Sequence, residues 1–77
     1  MGPRETLNRL KWCNEMKDVK ITIIHRGAPG DRKTFTEDEI VELGRSFMRV
    51  RSSSGEVEIP YHRIVRIEIG GKVIWER

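Results

Sequence analysis

Two blocks of this sequence combine the residue types that handle phosphate. The first is His25-Arg26-Gly27-Ala28-Pro29-Gly30-Asp31-Arg32-Lys33. Gly27 and Gly30 free the backbone for close approach to a ligand, and their N–H groups could form an anion-binding nest. Arg26, Arg32 and Lys33 add charge, and the arginine fork matches phosphate oxygens. The same residues also describe a plain Pro-Gly turn with solvated charges around it. The second block is Ile59-Pro60-Tyr61-His62-Arg63. Here Tyr61 could stack on a base, His62 could donate to phosphate, and Arg63 could do both. The structural alternative is that Tyr61 plugs the end of a barrel while His62 makes a local hydrogen bond.

His25 and His62 also form the equipment for general acid–base cleavage of a phosphodiester, provided they converge on one phosphate. Strand alternation argues against this, because it sets His25 on the apolar face with Ile21 and Ile23, as a core residue. No Cys, His and carboxylate spacing resembles a metal site, so neither metal nor cofactor is expected. A third pattern, Arg45-x-Phe47-x-Arg49-x-Arg51, is a basic stripe with an aromatic in it, as on β-surfaces that bind nucleic acid. It reads equally as Phe47 facing inward among solvated arginines. Thr36-Glu37-Asp38-Glu39 and Glu42 form an acidic patch that would repel RNA.

The elements that must position these residues are short. Pro3 suits the first turn of a helix, and Leu7, Leu10 and Cys13 form an apolar stripe from Arg4 to about Cys13. Trp12 is expected to cover the core, and Asn14 to Asp18 to close the helix. Val19–His25 alternates as a strand. Pro29-Gly30 fits the centre of a type II turn. Thr36 with Glu39 fits a capping box that predicts a helical turn over roughly 37–42. Strands follow at Arg45–Arg51, Glu56–Ile59, Val65–Ile69 and Val73–Trp75. Gly70-Gly71 is a two-residue hairpin loop. Simple pairing across it sets Ile67 against Ile74 on the core face, and Arg66 against Trp75 on the other. The expected fold is α+β: an N-terminal helix packed on a bent antiparallel sheet or small open barrel of about five strands.

The chain of 77 residues fits a single domain, 1–77. Its one cysteine excludes an intramolecular disulfide framework. No apolar run approaches a membrane span, and no apolar signal core follows Met1, so a cytoplasmic protein is expected. The net charge is +3, and it is uneven: residues 1–33 hold eight basic and four acidic side chains, the remainder seven and eight. Such a distribution suits a face that meets phosphates.

With those segments in view, the chain resembles an uncharacterised archaeal family of small proteins proposed to act as an RNA cyclic-group end recognition domain. The resemblance runs from Arg4 to Arg77. It rests on Leu10-Lys11-Trp12, His25 to Asp31, Ser46-Phe47, Ile59 to Ile67 and Val73-Ile74-Trp75, in that order. The chain departs from the family pattern after Trp12, where Cys13-Asn14 stands in place of an acidic residue. The resemblance implies a binding domain that keeps company with RNA-processing and RNA-repair proteins. It carries over His25, Arg26 and Gly27 with Tyr61, His62 and Arg63, and establishes no catalytic residues.

The expected function is therefore an RNA-binding module that recognises ends bearing a 2′,3′-cyclic or terminal phosphate. His25 to Asp31, with Gly27 and Gly30, would hold the phosphate. Tyr61, His62 and Arg63 would cradle the terminal nucleotide, and Arg45, Arg49 and Arg51 would track the strand. The alternatives are a metal-independent RNA phosphoesterase using the two histidines, and a protein-interaction module docking through the exposed hairpin edge.

Overall fold

The computed structural model describes residues 2–13 and 17–77. Its centre is β1 (Val19–Ile24), whose Val19, Ile21 and Ile23 are at most 1% exposed. β1 lies between β2 (Arg32–Thr36) and β6 (Ile64–Ile69), and β7 (Lys72–Glu76) completes a four-stranded antiparallel sheet in the order β2-β1-β6-β7. Directly opposed residues share a face, so the register aligns Phe35, Ile21, Ile67 and Trp75 as one apolar row across the sheet. On the opposite face Thr22 is buried between Thr34 and Arg66, and the two threonine hydroxyls lie 3.2 Å apart. The buried Arg66 Nε lacks a hydrogen-bond partner of good geometry, but the Glu68 carboxylate 3.1 Å away compensates its charge.

β3 (Ile40–Leu43), β4 (Phe47–Ser52) and β5 (Gly55–Pro60) form a second antiparallel sheet. Met48, Val50 and Ile59 point from it into the shared core. α1 (Pro3–Trp12) begins with proline at its first turn and buries Leu7 and Leu10 against that core. The two sheets do not close into a barrel, so the fold is α+β and open.

The structure corrects several expectations. There are two more strands than expected: β2 is a polar edge strand burying only Phe35, and β3 occupies residues expected to be helical. The helical turn stops at Glu39, where the Glu39 carboxylate accepts the Thr36 N–H at 3.0 Å. Ile40 then pairs with Val50 of β4, as β-branched residues favour, and after a register shift at Val41 the pairing resumes at Glu42 and Leu43.

Trp12 is 87% exposed rather than covering the core. It lies two residues past Leu10, about 200° round the helix, and so faces away. Cys13 ends the helix and is exposed, so it does not extend the stripe. The expected closing segment falls partly on residues 14–16, which lie outside the described residues.

The hairpin loop is as expected, with Gly70 and Gly71 at φ 57° and 85° and Ile69 opposite Lys72. A bulge between Ile67 and Glu68 then shifts the register. Ile67 opposes Trp75, Arg66 opposes Glu76, and Ile74 is left 39% exposed. One extra residue flips the alternation, and it brings the larger indole to the core face.

Candidate functional site

His25 follows the last residue of β1, so the alternation no longer governs it. It is exposed rather than in the core. The loop after it is two turns in series. The Ala28 N–H donates to the His25 carbonyl at 3.2 Å with Gly27 at φ 93°, and the Asp31 N–H donates to Ala28 at 2.8 Å. Gly30, at φ 69° and ψ 12°, has the third-position conformation of a type II turn, as Pro29-Gly30 predicted. A hydrogen bond of 2.8 Å from the His25 N–H to the Asp31 carbonyl closes the loop.

The Gly27 N–H, expected to hold a ligand anion, instead donates to the Asp31 carboxylate at 3.4 Å. A Cβ at Gly27 or Gly30 would meet nothing within 4 Å. What these positions require of glycine is therefore the positive φ. Both glycines shape the loop, and the outward groups it presents are the side chains of His25 and Arg26.

The second block forms a 3₁₀ turn over Tyr61–Arg63 between β5 and β6. Its first residue corrects an expectation. Tyr61 is 7% exposed and part of the core, and its hydroxyl donates to the Gly44 carbonyl at 2.7 Å. The ring is thus withheld from stacking on a base. Burial raises the phenol pKa, with Arg4 opposing the shift and Glu42 adding to it. His62 and Arg63 are exposed.

The sheet brings the two blocks together. β1 and β6 are antiparallel, with Ile23 opposite Ile64. The residues just after β1 are therefore neighbours of those just before β6. β7 returns along β6, which adds Arg77: its N–H donates to the Val65 carbonyl at 2.9 Å, and its guanidinium donates to the His62 carbonyl.

The result is a cleft of about 500 Å³ lined by Ile24, His25, Arg26, His62, Arg63 and Arg77. Three guanidinium groups and two imidazoles share it, with no acidic side chain in the lining. Such a set has the charge and the directed N–H donors that complement an anion. Sequence reasoning missed Arg77, although the hairpin pairing already implied that the end of β7 returns to the start of β6. Among the described residues, no group of three or more His, Cys, Asp or Glu could hold a metal ion.

A second cleft, of about 420 Å³, opens between the two sheets and shares His25 and Arg63 with the first. Arg45, Arg49 and Arg51 line neither. Arg49 meets Glu42 at 3.1 Å, and Arg51 pairs across the strands with Glu56. The structure does not bring this stripe to the basic cleft, and acidic neighbours offset part of its charge.

The model of the MJ1316 RNA cyclic group end recognition domain matches residues 1–77 of this chain. The chain belongs to this family. A UPF0248 protein of Thermococcus gammatolerans is 45% identical over 77 residues, covering 96% of this chain and 87% of the relative. One from Pyrobaculum calidifontis is 35% identical, covering 96% and 95%. One from Thermococcus onnurineus is 43% identical, covering 95% and 82%. The family is archaeal in these relatives, and the match spans both blocks that build the basic cleft. No solved structure matches the chain. Among the described residues, no helix is long and apolar enough to cross a membrane.

Proposed function

We propose that this protein recognises RNA ends in RNA processing or repair, taking a 2′,3′-cyclic or terminal phosphate into the basic cleft. The observation that carries this reading is the meeting of His25, Arg26, His62, Arg63 and Arg77 around one opening without an acidic side chain. Arg26, Arg63 and Arg77 supply charge and paired N–H donors, while His25 and His62 supply single donors. Ile24, 42% exposed, forms an apolar wall. A cyclic phosphate is compact and singly charged, so it loses less hydration beside such a wall than a dianionic monoester does. The family name supports the choice of RNA.

The test is fluorescence anisotropy of a cyclic-phosphate-ended RNA with the wild type and Arg26→Ala. Phosphate-driven binding weakens as salt rises, and the loss of one contact lowers the salt slope by about 0.7 for a single strand. Unchanged affinity and slope in Arg26→Ala would refute the phosphate role.

A second reading is favoured by one observation, that both histidines line the same cleft. One imidazole would take a proton from water as it adds to phosphorus, and the other would protonate O2′ as the P–O2′ bond breaks, leaving a 3′-monophosphate. RNA ends that remain cyclic after prolonged incubation would exclude this activity.

A further inference from the structure

The cleft between the sheets continues the basic cleft through His25 and Arg63, but its chemistry differs. Its floor is apolar, with Ile23, Val57 and Ile59 in the lining. Its rim is polar. Lys33 leans over the Phe35 ring, its Nζ 5.2 Å from the centroid, which fixes the ammonium on one wall. The β4–β5 turn forms the other wall. There the Ser52 hydroxyl donates to the Gly55 carbonyl at 2.9 Å and lies 3.2 Å from the Ser54 hydroxyl, which braces Ser53 and Ser54 at the mouth.

A volume of about 420 Å³ with a small apolar floor under hydroxyls, an ammonium and a carboxylate suits a small ligand that carries several polar groups. We infer that this second cleft holds the terminal nucleoside of the RNA, its base against Val57 above the buried Ile23 and Ile59, with Lys33, Glu58 and the Ser53 and Ser54 hydroxyls at the base edge. The inference rests on the phosphate occupying the basic cleft. A phosphate bonded to the ribose places the attached base within reach of a neighbouring pocket, and His25 and Arg63 stand where the two meet. A protein built this way reads one complete nucleotide rather than a bare phosphate.

The experiment is amide-resolved NMR titration of the wild type with the adenosine, guanosine, cytidine and uridine 2′,3′-cyclic monophosphates and, separately, with dimethyl phosphate. The inference predicts that at least one nucleotide shifts the amides of Lys33 and Ser52 to Ser54 together with those of His25, Arg26, His62 and Arg63. Dimethyl phosphate shifts only the latter set. Lys33→Met keeps the aliphatic stem on Phe35, and it should weaken the nucleotide about fivefold while leaving dimethyl phosphate unchanged.

If the nucleotides shift only the basic-cleft amides, or if Lys33→Met weakens both ligands equally, the second cleft is not a nucleoside site and the phosphate reading stands. If no nucleotide shifts the basic-cleft amides, both readings fall.

Discussion

The Tyr61 hydroxyl donates to the Gly44 carbonyl at 2.7 Å, across a separation of 17 residues. This bond ties the turn that carries His62 and Arg63 to the loop between β3 and β4. Tyr61 thus anchors the segment, and the next two residues are left to face the cleft. Of the consecutive Tyr61, His62 and Arg63, the first serves the fold, and the other two line the basic cleft.

Removing the hydroxyl in Tyr61→Phe leaves the Gly44 carbonyl without this donor and should cost about 1 kcal/mol, read by urea unfolding, with RNA affinity little changed. The raised phenol pKa adds a pH dependence. Folding favours the neutral phenol, so the associated stability is fully present below the ordinary value of 10.0 and is lost as pH rises through the higher folded value. Tyr61→Phe should lack that alkaline component. Tyr61 is the sequence's one tyrosine, so the phenolate absorbance titration reports it alone. A phenolate appearing at the pH of a free tyrosine would refute the burial.

The bulge in the last hairpin exchanges the roles of two neighbours. Trp75→Ala should destabilise by about 2 kcal/mol, since the indole packs on the core face. Ile74→Ala, at an exposed position, should cost no more than about 0.5 kcal/mol. Thermal unfolding of both variants checks this, and the reverse order would restore the unbulged pairing.

Arg63 lines both clefts, whereas Arg51 lines neither. Arg63→Ala should therefore lower RNA affinity severalfold and reduce the salt slope by about 0.7. Arg51→Ala should leave both nearly unchanged. Anisotropy across a salt series separates them, and equal losses would mean that RNA spreads across the second sheet.

Much of this architecture is legible in the residues alone, where one face is buried and the pattern is strong. Alternation marks β1, β4 and β6, positive-φ glycines mark the hairpin and the Pro29-Gly30 turn, and Leu7 with Leu10 marks the helix face. β2 is hidden because an edge strand of Arg-Lys-Thr-Phe-Thr buries only its phenylalanine. The bulge is hidden because Ile74 and Trp75 are both apolar, and only packing against the shared core distinguishes them.

The candidate site divides in the same way. Residue types single out both blocks, but their meeting depends on the antiparallel pairing of β1 with β6, which no spacing in the chain expresses. His25 is misjudged by alternation because the strand ends one residue earlier, at Ile24.

The most direct test of end recognition compares one short single-stranded RNA carrying a 2′,3′-cyclic phosphate, a 3′-monophosphate or a 3′-hydroxyl, by fluorescence anisotropy at low and moderate salt. The basic cleft predicts a preference of about tenfold, or ~1.4 kcal/mol, for the cyclic end over the hydroxyl, with affinity falling as salt rises. Equal affinity for all three ends would contradict it.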